Sequence, residues 1–388
     1  MRPIINKTIL NIVRILKLIL SSVAALGLVP HAQTTSYPLY NLSILLPLPK
    51  KIITDSPGLD TPNCSRPIFE KSLFEEVPEL LQAPNSVDEQ YRSMRLVGIR
   101  FDFRSDELRL VYQPLYKISA RHKHRAEDAG LHLFFRMPRT RLIAEQNKLL
   151  EAYPRLPLDK LGIHPAITDK TSMAPIEKLL CEVAKEPLFK VTFMNVRGGR
   201  MIWNFGGFLI HEEHSGRRLR GQDVVIANSD GLFMDEGDAD MSVQRVTRFS
   251  GSYQAQVLPR VVRGDNLSAL FAVRGSIPVD EIRSIRRSVD RIENPKLNTP
   301  QTVDCTSCHA TESARIALED QHNSKPSVEA YALPKGYELD QSINRESLRN
   351  TANFRAFGYI DDQACINRRV LNETTDMQQN GEILSVLQ

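Results

Sequence analysis

The sequence predicts an α+β fold: a mainly antiparallel β domain followed by a small, mostly α-helical C-terminal domain. Three observations carry that expectation. From residue 94 to residue 257, apolar and polar residues alternate with period two in several short runs. Other stretches place apolar residues at helical spacing. Finally, Asn294-Pro295 and Thr299-Pro300 stop a helical pattern and lead into a run with a different character, which sets a domain break at residue 295.

The chain opens with Arg2, Lys7, Arg14 and Lys17 and no acid, followed by the uncharged run Leu18 to Val29. That is the layout of a secretory signal, assigned to residues 1–32, and the run is too short for an ordinary spanning helix, so no stable membrane span is expected after cleavage. These four cations account for the formal charge of +4, so from Gln33 onward the chain is neutral. Neutrality removes any compositional case for nucleic acid or an anionic membrane surface as partner. The rest is long enough for two domains with cores of their own.

Residues 33–86 carry eight of the chain's 23 prolines and read as an extended arm or linker, with Leu42 to Leu46 as an apolar patch. Residues 87–295 form the β-rich domain. Met94, Val97, Ile99, Phe101 and Phe103 alternate with polar residues, and Leu108 to Tyr112 answers them across Ser105-Asp106-Glu107. Leu131 to Met137, Phe189 to Val196 and Met201 to Ile210 are further strands, the last two joined by a turn at Gly198-Gly199. Gly206-Gly207 predict a bulge or a close backbone approach, and strands at 223–227 and 243–257 complete the sheet. Helices are expected from Arg139 to Ala152, Ala174 to Ala184 and Val279 to Arg291. The last has arginines at 283, 286, 287 and 291, read as a solvated face.

Residues 296–388 hold the stretch in which spacing dictates a chemistry. Cys305-Thr306-Ser307-Cys308-His309 is a C-x-x-C-H pentad, in a chain with only five cysteines and nine histidines. On a helical turn, Cys305 and Cys308 share one face and can each add across a vinyl group of one porphyrin, while His309 ligates the iron. The cofactor implied is covalent haem c, a haem-type C-terminal domain in effect, and haem attachment outside the cytoplasm agrees with the signal. A disulfide, a redox dithiol or a zinc clip are the competing readings, though no second ligand pair at zinc spacing follows. A helix should run from Cys305 to Asp320, and another from Ala364 to Asn372, with a polar tail past Thr375. Tyr331, Tyr337, Phe354, Phe357 and Tyr359 would wall a porphyrin or fill a core. If the helix is unbroken, His322 lies about 20 Å along it from His309, too far to share an iron. Met377 sits among polar neighbours, so a vacant or weakly held sixth position is expected.

The pentad resembles that of c-type cytochromes, but without the aromatic helix just ahead and the methionine loop after it that mark the small soluble carriers. Together with Asn353 to Tyr359 and Arg369 to Thr374, Val303-Asp304-Cys305 resembles a group of large exported bacterial proteins with one such motif. The resemblance implies haem binding and electron transfer in the cell envelope with a redox or envelope protein partner, rather than catalysis. Exported two-haem peroxidases need two motifs. The alternative is an envelope binding or structural protein whose C-x-x-C-H is a disulfide or metal clip. Other constellations are weaker: His211-Glu212-Glu213-His214 is not a zincin motif, His122-Lys123-His124 lies in a basic loop, and the acids from Asp235 to Asp240 lack the glutamate a calcium loop needs. Cys64, Cys181 and Cys365 leave one disulfide open in three ways.

Overall fold

The period-two runs do become strands of one antiparallel sheet. A computed structural model describes residues 36–49, 56–61, 63–77, 86–117, 124–197, 202–213, 216–221, 243–249, 252–255, 278–299, 303, 305–343 and 354–385. The expected signal at 1–32, the turn at Gly198-Gly199, the strand at 223–227 and the acidic run from Asp235 to Asp240 lie outside these residues.

In chain order the strands are β1 (Ser43–Leu45), β2 (Met94–Asp102), β3 (Glu107–Lys117), β4 (His124–Ala126), β5 (Ala129–Arg136), β6 (Lys160–Leu161), β7 (Leu188–Arg197), β8 (Ile202–Glu213), β9 (Gly216–Gly221), β10 (Val243–Phe249) and β11 (Ser252–Ala255). Then come β12 (Glu338–Leu339), β13 (Phe357–Ile360) and β14 (Gln363–Ile366). The helices that matter here are α1 (Arg139–Ala152), α2 (Lys170–Val183), α3 (Val279–Glu293), α4 (Cys305–His322) and α5 (Arg368–Ser385). Ten strands form the main sheet, ordered β1-β2-β3-β5-β7-β8-β10-β11, with β4 on β3 and β9 on β8. The fold is α+β. No bulge interrupts β7 against β8, so Gly206 and Gly207 stay in a regular ladder. Register shifts fall instead in β5, between Phe134 and Phe135, and in β2, between Leu96 and Gly98, where a Cβ on Gly98 would lie 2.4 Å from the Phe357 ring.

The register separates two faces. On one, Ile99, Phe101, Leu110, Leu133, Phe135 and Val191 share a hydrophobic core with Leu142 and Leu149 of α1 and Ile176, Leu180 and Val183 of α2. On the other, Arg100, Arg109, His132, Thr192, Met194 and Phe205 recur, a polar and aromatic surface. A sheet with one largely apolar face and one mixed face needs a polar layer over the second. That layer is α5, together with the hairpin β13–β14.

The proline-rich arm is docked, not loose. Its apolar patch becomes β1, paired with β2 from Ser43↔Arg100 to Leu45↔Gly98. Cys64 is joined to Cys181 of α2, with Cα atoms 4.9 Å apart across 117 residues of sequence. The structure thus selects one of the three pairings the sequence left open. The break at 295 falls between α3 and α4, which pack together within the compact unit Ser36–Gly381 that also contains the sheet. Glu382 onward, the last turn of α5, falls outside that unit. Among the described residues, no helix is long and apolar enough to cross a membrane.

Two expectations about the C-terminal end are corrected. Ala364 to Ile366 is strand, not helix, and the helix begins at Arg368 and runs to Ser385, through the tail thought too polar to assign. Polarity there marks burial against polar partners: Gln378 donates to the carbonyls of Tyr37 (2.7 Å) and Leu158 (2.9 Å), and Thr374 and Ser43 hydroxyls meet at 2.7 Å.

Closing a loop of this length stabilises a fold by about 4–5 kcal/mol in the chain-entropy picture. The double variant Cys64→Ala/Cys181→Ala should therefore unfold at lower urea concentration, with a loss of about 2–5 kcal/mol. A second expectation concerns His164, buried at 1 % exposure with Nε2 3.0 Å from Asn41 Oδ1. Burial pushes its pKa down from 6.5 to about 4. The unfolded chain then binds more protons between those values, so stability falls as pH drops from about 6.5 to about 4 and changes no further below. His164→Asn should flatten that part of the pH–stability curve.

Candidate functional site

The pentad opens α4: the helix starts at Cys305, just after the Pro295 and Pro300 breaks, and Ala310, Ala314 and Ala317 carry it on. Ala310, Ala314 and Leu318 form its buried stripe, against Ile285, Val289 and Ile292 of α3. The same cluster takes in Met194 of β7, Trp203 and Phe205 of β8, and Phe354, so the helix also lies on the mixed face of the sheet. Small alanines let the helices approach closely, and the sheet aromatics fill the remaining wall.

The first turn half-buries both Cys308 and His309. Cys308 is half-buried and packs against the apolar cluster. His309, also half-buried, has Nδ1 2.7 Å from the Phe354 carbonyl oxygen. A carbonyl only accepts, so Nδ1 carries the proton and Nε2 carries the lone pair. The Phe205 ring lies 4.9 Å from the imidazole, tilted by 36°, and Trp203 meets Phe354 edge-on at 5.5 Å. Burial is the largest cause that lowers the His309 pKa to about 4; the Phe354 carbonyl opposes it, and Arg355, Arg369 and Arg109 add to it. The ring is therefore neutral at pH 7. A neutral, oriented imidazole with a free Nε2 beside an apolar wall is the donor a haem iron takes, so the residues present fit that group.

Around this turn, buried charges are paired in a connected set. Glu373 of α5 accepts from Arg100 Nη2 of β2 and from Arg369 Nε, each at 2.9 Å. Arg369 also donates to the Ile292 carbonyl at the end of α3, and Glu312 of α4 accepts from the Arg368 backbone N–H at 2.8 Å. Burial alone would raise the Glu373 pKa, but Arg369, Arg100, Arg104 and Arg109 outweigh it and hold the carboxyl well below the usual range. Arg369 also feels Cys308.

Other expectations fare unevenly. His322 is exposed at the far end of an unbroken α4, as the distance argument required. Met377 is 1 % exposed, so its polar neighbours do not leave it open, but it lies outside the pentad's apolar cluster. Of the five C-terminal aromatics only Phe354 joins that cluster, whereas Phe357 and Tyr359 belong to the main core. The arginine face of α3 is not uniformly solvated: Arg286 is buried on Asp290 (3.1 Å) and Glu319 (2.9 Å), and Arg291 pairs with Glu329 at 2.9 Å. His211 sits at the end of β8 and His124 in β4, while His214 and His122 lie outside the described residues. No group of three or more His, Cys, Asp and Glu is placed to hold a metal ion among the described residues.

What sequence reasoning missed is the sheet's contribution, Met194, Trp203 and Phe205, because nothing local ties a strand residue to a helix a hundred positions later. No known family, characterised protein or solved structure matches this chain.

Removing one member of a buried ion pair leaves the other charges uncompensated. Glu373→Gln should thus cost about 3–5 kcal/mol in denaturant titration. Glu338→Gln, which breaks the exposed pair with Lys160, should leave the denaturation midpoint nearly unchanged.

Proposed function

We propose that the chain is an exported, monohaem, c-type cytochrome-like protein that holds haem in the cell envelope and exchanges electrons with a protein partner. The observation that carries this reading is the hydrogen bond from His309 Nδ1 to the Phe354 carbonyl, which fixes the tautomer and leaves the lone pair on Nε2. Cys305 and Cys308 would hold the haem through thioether bonds, and His309 would ligate its iron. Bound haem supplies a one-electron couple. The chain's own part is to orient His309, to keep it neutral and to exclude water with Trp203, Phe205 and Phe354. The Cys64–Cys181 disulfide supports an oxidising compartment, in keeping with the signal-like amino terminus.

A second reading has one observation in its favour. A C-x-x-C pair in the first turn of a helix is also where a thiolate is stabilised, as in dithiol redox proteins and disulfide clips. Haem staining separates the two. After expression in a host with cytochrome c assembly, the wild-type polypeptide should stain on a denaturing gel, and the Cys305→Ala/Cys308→Ala variant should not. An unstained wild-type band would count against the haem reading and leave the dithiol.

A further inference from the structure

The register of the sheet brings a second imidazole toward His309. His132 of β5 pairs with Val111 of β3 and Thr192 of β7, and the row continues to Gly207 of β8. This is the mixed face, the one that carries Met194 and Phe205 under α4. Phe205 stands two residues along β8 from Gly207, and its ring is the one 4.9 Å from His309. Two strand spacings of about 4.8 Å and two residues of about 3.4 Å put the His132 and Phe205 Cα atoms about 12 Å apart. His132 thus stands on the face under α4, two strands from the residue whose ring meets His309, and the charge of His309 reaches it. Thr192 and Gly207, the next positions in the row, carry short side chains that leave the face low beside His132.

His132 is half-buried, and its nitrogens make no hydrogen bond to any described residue. Burial first, then the charges of Arg109, His309, Arg355 and Arg100, hold it neutral, the ligating form. The other candidates are worse placed. His322 is at the far end of α4 and Met377 is outside the cluster. Met194 is on the right face, but its thioether is packed within the apolar cluster of Trp203, Phe205 and Phe354.

We infer that His132 is the second axial ligand of a haem attached through Cys305 and Cys308 and held by His309. This inference rests on the haem reading above and replaces the vacant sixth position expected from the sequence.

The experiment uses the full-length chain matured with haem, comparing wild type with His132→Ala, His132→Gln and Met194→Leu. Haem staining of each band first establishes attachment. Wild type should be low-spin in both oxidation states and slow to bind carbon monoxide. Both His132 variants should keep the stain, lose the low-spin spectrum, bind carbon monoxide readily when ferrous, and regain the low-spin spectrum on addition of free imidazole. Met194→Leu should match wild type. Stained His132 variants that stay low-spin, a low-spin spectrum lost only in Met194→Leu, or a high-spin wild type would each overturn the assignment while leaving haem attachment standing. An unstained wild type would overturn both.

Discussion

Glu373 is the residue on which the second half of the structure hangs. It sits 3 % exposed between Arg100 of the sheet and Arg369 of its own helix. A carboxylate taken out of water at this depth needs the two guanidiniums that meet it, and it is the anion that balances their buried charge. The mixed face of the sheet therefore demands α5, and α5 in turn demands that face. Polar residues that would be solvated elsewhere, Thr374, Thr375, Asp376 and Gln378, are buried along the same helix.

The pentad depends on that arrangement at second hand. Arg369 reaches the end of α3, and the first N–H of α5 is received by Glu312 of α4, so the three C-terminal helices are tied by charge-assisted bonds as well as by the alanine stripe. The segment leading into β13 then brings the Phe354 carbonyl to His309. Orientation of one imidazole is thus determined by the docking of a hairpin and a helix more than 40 residues downstream. The Arg355 side chain crosses the sheet here, and a Cβ on Gly130 would lie 2.7 Å from its Nη1, so glycine is the residue that lets it pass.

Much of this was legible in the sequence, and what was not had a physical reason. The strands from Met94 to Ile210 and the helix Arg139–Ala152 declare themselves because one face of each is apolar. The pentad helix was legible from alanine content and the proline break. By contrast, α5 gives no apolar stripe, because its partners are buried arginines and backbone carbonyls, and a rule that equates polarity with solvent misses it. The arm around Leu42 to Leu46 looked like a linker for its prolines, yet pairs as an edge strand, where proline nearby is tolerated. The positions of Trp203, Phe205 and His132 on one face rest on strand register, which a single sequence does not specify across such separations.

The central claim is covalent haem at Cys305 and Cys308 with His309 on the iron. The most direct measurement is the pyridine haemochrome spectrum of the polypeptide after acid–acetone extraction, made on protein matured with cytochrome c assembly. The account predicts that the chromophore stays with the polypeptide and shows the band of a porphyrin whose two vinyl groups are both saturated by thioethers. A colourless polypeptide, with all absorbance in the extract, would contradict it.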